Sequence, residues 1–153
     1  MQKYIVKCVA FNKLTLRELY DIMVLRQEVF VVEQNCVFLD ADGKDFDSHH
    51  LMMYDLEQNL LAYTRLLPEG LSYESYTSIG RVVSHPCTRG SGIGKELMEH
   101  SIEWLEKLFG TNFPIKIGAQ SYLLAFYQKF GFVSQGEEYI EDGILHRIMI
   151  RKK

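Results

Sequence analysis

The sequence predicts an α/β (α+β) domain built on a mixed, mostly antiparallel sheet, with elements in the order β-α-β-β-β-α-β-α-β-β. Three observations carry that expectation. Short apolar runs are joined in pairs by tight turns, Glu57-Gln58-Asn59 and Asp142-Gly143, and each pair reads as an antiparallel hairpin. Two longer stretches space their apolar residues at helical intervals. From Ser78 onward a strand, a glycine-rich loop and a helix follow one another directly, and a further strand over 115–119 completes a βαβ unit with parallel strands.

Residues 4–11 alternate weakly and read as the first strand. Thr15-Leu16-Arg17-Glu18 is a capping box, so a helix starts there. Leu16, Leu19, Tyr20, Met23 and Phe30 recur at helical spacing and predict one buried stripe reaching about Phe30. Residues 26–34 end that helix and lead into a polar loop, 40–47, carrying Asp40, Asp42, Asp45 and Asp47. His49-His50 opens a strand over 51–56, which turns back antiparallel into 60–67. Pro68 to Thr77 is a loop. Ile79 to Ser84, apolar and partly β-branched, is the central strand, and Pro86 stops pairing because it has no N–H to give. The helix after the glycine loop runs to about Phe109 on a face of Ile93, Leu97, Ser101, Leu105 and Leu108, and Gly110 and Pro114 end it. Residues 121–130 form a short helix stopped by Gly131, and 132–140 with 144–151 a last hairpin. Six to seven strands and three to four helices thus share one domain, 1–153, which buries roughly 70% of its unfolded surface. Arg65 and Arg81 fall within strands in apolar company and need carboxylate partners, for which Glu33 or the acids of 40–47 are the natural choice.

Composition excludes several classes. Net charge is −3, and the longest basic run is Arg151-Lys152-Lys153, so nucleic acid is not an expected partner. No stretch is long and apolar enough to span a membrane, and the first residues lack the apolar centre of a secretory signal. Cys8, Cys36 and Cys87 are odd in number and scattered, as expected of reduced thiols in a cytoplasm. The aspartate loop has a superficial likeness to a calcium loop. Gly43 stands fourth from Asp40 where an EF-hand needs a glycine sixth, and no glutamate closes the loop, so no metal is expected.

The chemistry concentrates in Arg89-Gly90-Ser91-Gly92-Ile93-Gly94-Lys95. Glycines free the backbone to approach a ligand, and the helix that follows offers unpaired N–H groups to a phosphate. A P-loop fails because Lys95 is followed by Glu96, and a dinucleotide fingerprint fails on glycine spacing. What remains, Arg89-x-x-Gly92-x-Gly94 after a strand bearing Val82-Val83, resembles the acetyl-CoA loop of the GCN5-related N-acetyltransferases (GNAT). Tyr127-Gln128-Lys129-Phe130-Gly131-Phe132 matches the end of that family's second motif, about thirty-five residues further on. Residues 26–34, 42–45, 80–83, 119–120 and 139–146 are similar to the ElaA-type subfamily over nearly the whole chain. Gln120 departs from the asparagine that many members use to hold the pantetheine arm, and Leu145 stands where a proline is expected.

The resemblance implies a GNAT fold splayed between its fourth and fifth strands, acetyl-CoA as cosubstrate, and direct transfer of acetyl to an amine. It implies CoA contacts at Val82, Val83, Arg89, Gly90, Ser91, Gly92, Ile93, Gly94, Lys95, Gln120 and Tyr127, with Tyr127 as general acid for the departing thiolate. Candidates on the acceptor side are Glu33, Asp42, His50, Glu141 and His146. Acids from 40–47 and from the final turn are expected to face one mouth, which favours a cationic acceptor, a small molecule or a peptide. A homodimer is compatible with this reading. A covalent route through Cys87, with His85 two residues away, is the weaker mechanism. Rival functions are an acyl-CoA-binding regulatory module without turnover and an acyl-homoserine-lactone-synthase-like enzyme.

Overall fold

In the computed structural model, which describes residues 3–152, the elements occur in the expected order but their sheet is divided. β1 (Ile5–Ala10), β2 (His49–Tyr54), β3 (Leu60–Leu67) and β4 (Ser78–Ser84) pair antiparallel in that order. β5 (Ile115–Gln120), β7 (Ile144–Arg151) and β6 (Val133–Glu141) form a second antiparallel sheet with β7 in the middle. The two sheets meet in parallel at Thr77 and Ile115. There the Thr77 N–H donates to Pro114 O (3.2 Å) and the Lys116 N–H to Thr77 O (2.9 Å). Beyond that point β4 and β5 part, which is the expected splay.

Alternation along β3 sends its two faces to two helices. Tyr63 packs with Ile22, Leu25 and Val29 beside α1 (Leu16–Arg26), while Ala62 packs with Ile93 and Leu97 of α2 (Ile93–Phe109). Thr64 confirms the second direction by hydrogen-bonding Ser101 of α2 (2.7 Å). A further cluster joins α2 (Met98, Leu105) to the second sheet (Ile117, Met149) and to Phe132, so α2 is the wedge between the sheets. The capping box at Thr15 and Glu18 is formed, and Asp142 and Gly143 both take positive φ in the β6–β7 turn.

The first helix departs from expectation. Its buried stripe is Ile22, Leu25, Arg26 and Val29, whereas Leu16 and Tyr20 stand in solvent. A fully buried arginine occupies the middle of the apolar face and hides it from a hydrophobic count. The helix also does not end at Phe30: residues Gln27–Glu33 continue as a π-helix, with the Gln34 N–H bonded back to Val29 O (3.0 Å). Such wide turns commonly lie at functional sites.

Candidate active site

β4 meets β3 with one residue too many. Tyr63 pairs with Val83 and Arg65 with Gly80, so two steps on β3 face three on β4. Arg81 absorbs the surplus with φ 49°, a left-handed conformation that costs a residue with a side chain and persists only when held. Asp40 holds it, through its carboxylate at 2.9 Å from Nε and its carbonyl at 2.9 Å from Nη2. The bulge leaves Arg81 and Val82 without a paired residue on β3 where β4 borders the gap between the sheets.

The glycine loop lies at the end of that gap. Gly90 (φ 84°) and Gly92 (φ 86°) require the left-handed region, and open space lies where a Cβ of either would stand. Gly92 caps α2, whose first internal hydrogen bond runs from Glu96 N–H to Gly92 O (3.3 Å). The amides of Gly94 and Lys95 therefore leave the helix end without an intrahelical acceptor. Open space beside a positively polarised helix end fits a pyrophosphate.

A cavity of about 940 Å³ joins these parts. Val82, Val83, Arg89, Gly90, Gly92, Ile93, Gly94, Gln120 and Tyr127 line it. Ser91 and Lys95 are not among its walls: the Ser91 hydroxyl bonds Thr88 O, and the Lys95 ammonium turns along α2 to Glu99 (3.8 Å). Tyr127, on the short α3 (Leu124–Gln128), is buried with Phe126 and Phe132 edge-on to its ring. Burial pushes its pKa far above the usual phenol value, so it enters any reaction protonated. Cys87 does not line the cavity, and His85 Nδ1 accepts the Cys87 backbone N–H (3.1 Å) in place of activating its thiol.

The comparisons agree with this geometry. A family profile described as "Acetyltransferase (GNAT) domain" matches residues 41–153. The chain belongs to the GNAT acetyltransferase family. It is 38% identical to protein ElaA of Escherichia coli over 92% of both chains. It is 39% identical to a UPF0039 protein of Schizosaccharomyces pombe over 89% of both. Among solved structures it is similar to an acyl-CoA N-acyltransferase from Pseudomonas aeruginosa, with TM-score 0.87 and 44% identity over 96% of this chain and 99% of that one. The crystal structure of E. coli ElaA matches with TM-score 0.89, covering 97% and 99% of the two chains. Membership brings acyl transfer from acyl-CoA donors to amine acceptors.

On the acceptor side of this GNAT the structure redistributes the candidates. His50 is buried away from the cavity, its Nε2 at 2.9 Å from Asp45 O and its Nδ1 at 2.6 Å from the Tyr63 hydroxyl; it is a packing residue. Asp42 reaches the cavity wall but gives both carboxylate oxygens to Arg65 (2.6 and 2.7 Å). Burial raises its pKa and the Arg65 hydrogen bonds more than reverse that, holding it well below the carboxylate range. Asp45 bridges Arg26 (2.7 Å) and Arg65 (3.1 Å), and Asp40 bridges Arg26 (2.7 Å) and Arg81. Three of the four aspartates in 40–47 are thus neutralised, and the loop does not present the negative mouth its sequence promises. Glu33, at the end of the π-helix, is held by the Arg89 guanidinium through both oxygens, which lowers its pKa. It does not pair with Arg65 or Arg81. Glu141 and His146 both line the cavity.

Reading the sequence alone misses a group beside them. Tyr73 and Tyr139 bring their hydroxyls over Gly118 of β5; a Cβ there would lie 2.6 Å from the Tyr139 oxygen. A glycine inside a strand is the available signal of such an approach.

Proposed function

We propose that this GNAT takes acetyl-CoA as donor and passes its acetyl group directly to a cationic amine. The observation that supports this best is one cavity that runs from an open phosphate-binding loop, along a bulged strand edge, to a buried protonated phenol. Acetyl-CoA supplies an activated acyl carbon in a thioester. The loop 89–94 would hold its pyrophosphate, with Arg89 exchanging Glu33 for phosphate. The free edge of β4 would pair with the pantetheine as a further strand, and Gln120 would reach its amides. A backbone N–H at Val83 would polarise the thioester carbonyl. Tyr127 gives its proton to the departing thiolate. With Asp40, Asp42 and Asp45 spent on arginines, the negative charge that draws a cation comes from Glu141 and Asp142 at the hairpin tip. The unpaired Cys8, Cys36 and Cys87 suit a reducing cytoplasm.

The test is release of free CoA thiol from acetyl-CoA with spermidine, tyramine or a peptide bearing a free N-terminus. Tyr127→Phe is expected to lower kcat about 10²–10⁴-fold and to leave CoA affinity within about two-fold; Cys87→Ala stays active. CoA binding without turnover of any amine would make the chain a binding module. An acetyl group trapped on Cys87 would overturn direct transfer.

A further inference from the structure

His146 stands on β7 directly opposite Gln120 of β5 and Tyr139 of β6, so the three side chains share one face of the second sheet. That face turns Gly118 and Gln120 to the cavity, and His146 lines it while only 7% exposed. The imidazole is held in plane and in rotation. Its ring stacks on Tyr139 (centroids 5.8 Å apart, 28° between planes), and the Tyr139 hydroxyl is seated over Gly118. Its Nδ1 lies 2.7 Å from Ile144 O. A carbonyl oxygen only accepts, so Nδ1 carries the hydrogen and Nε2 is left with a lone pair. Glu141 Oε2 stands 3.7 Å from Nε2, too far for a good hydrogen bond and close enough to steady a positive charge there.

We propose that His146, through Nε2, is the base that takes the proton of the acceptor ammonium, and that Glu141 positions and stabilises the imidazolium it becomes. The proposal rests on the acyltransferase reading and adds to it the residue that makes the nucleophile. Glu141 alone is a poorer base because its side chain is 58% exposed, where water competes for the acceptor's proton. The protons balance. The ammonium gives one proton to Nε2, and the freed lone pair forms the C–N bond at the thioester carbonyl carbon while the C–S bond breaks. The nitrogen then sheds a second proton, which matches the one Tyr127 gives the thiolate. His146 returns its own proton to solvent, so one proton is released for each ammonium acetylated.

The groups facing His146 are Glu141 and Tyr139 from β6, neutral Gln120 from β5, and Tyr73 from the β3–β4 loop, which interacts with Glu141. Lys116, further along β5, is occupied over the rings of Tyr73 and Tyr76 (4.8 and 4.9 Å). Glu141 is therefore the one carboxylate placed beside Nε2 among the groups named.

Two measurements on the full chain test this. Nitrogen-resolved NMR of the imidazoles across pH is expected to show neutral His146 protonated at Nδ1 and bare at Nε2. The pH profile of kcat/KM, with acetyl-CoA and whichever of spermidine, tyramine or peptide is turned over, is expected to have an acid limb that tracks the loss of the neutral imidazole in those spectra. His146→Gln should flatten that limb and lower kcat/KM at least about 100-fold, with CoA affinity within about two-fold. Glu141→Gln, a change on the exposed hairpin tip, should lower kcat/KM by less than His146→Gln and leave the limb in place. An acid limb unchanged in His146→Gln, or a neutral imidazole bare at Nδ1, overturns the assignment while leaving acyl transfer intact. Failure of the unaltered chain to acetylate any amine overturns both.

Discussion

At one end of the cavity Arg89, the left-handed glycines and the first turn of α2 present positive potential to open space. At the other end Arg65 and Arg81, with Arg26 buried behind them, carry three full charges but face Asp40, Asp42 and Asp45 at 2.6–3.1 Å. Arg26 and Arg65 are almost entirely buried, and burial of such charges is tolerated only when every one is paired. Arg89, by contrast, is half exposed, and its pair with Glu33 is a surface ion pair worth about 0–1 kcal/mol. That contact is weak enough to be exchanged for a phosphate. The same residue types thus do two jobs. Charge that is closed on itself fixes the bulge in β4 and ties α1, β3 and β4 to one loop; charge left open receives a ligand.

The largest effect should come from opening the closed cluster. Asp45→Ala leaves Arg26 and Arg65 without a shared carboxylate and is expected to cost about 3–5 kcal/mol of folding stability in a denaturant titration. Asp47, in the same loop, is exposed and makes no ion pair among the described residues, so Asp47→Ala should fall within about ±0.5 kcal/mol. Equal losses in the two variants would show that the cluster is not a structural unit.

This contrast also explains what the sequence made legible. The strand order, the capping box, the Asp142-Gly143 turn and the glycine loop announce themselves through local chemistry, and each is found where expected. The face of α1 was not legible, because Arg26 sits among Ile22, Leu25 and Val29 and its partners lie 14 and 19 residues away. Neither was the fate of the 40–47 aspartates, which look alike in a row and separate only when three arginines from three elements arrive. Arg81 at positive φ was equally hidden, since a bulge depends on the register of two strands and not on the residue that absorbs it.

A smaller effect is expected from closing the open end. Saturating CoA, at about 100 times its Kd, should raise stability by roughly 2.7 kcal/mol in the unaltered chain. Gly92→Val should remain folded, at a strain cost of about 1–3 kcal/mol for a branched residue at φ 86°, and lose the CoA-induced shift in Tm. Its side chain would fill the space that the glycine leaves open. A full CoA shift in this variant would reduce the loop to a turn and erase the contrast between the two ends.

The smallest effect tests whether the closed cluster alone answers to acid. His50 is 1% exposed; its Nε2–H donates to Asp45 O, which leaves Nδ1 to accept the Tyr63 hydroxyl. Burial holds its pKa below the usual value, Arg26 and Arg65 push the same way, and the Asp45 carbonyl and carboxylate oppose them. The unfolded chain therefore takes up a proton first as pH falls below about 6.5. Unfolding free energy should drop from there at up to about 1.4 kcal/mol per pH unit, until the folded imidazole also protonates. The carboxylates of Asp42 and Asp45, whose pKa values are lowered, add their own loss only below about pH 4, through the same linkage. His49 is also depressed by burial but is less enclosed, so His49→Gln should remove less of the slope than His50→Gln. Stability measured between about pH 5 and 7 should lose most of its slope in His50→Gln. CoA affinity, measured where both proteins stay folded, should change with pH alike in the two. An undiminished slope in His50→Gln would remove His50 as the cluster's acid-sensitive point, and an altered CoA pH profile would mean that the two ends of the cavity are coupled.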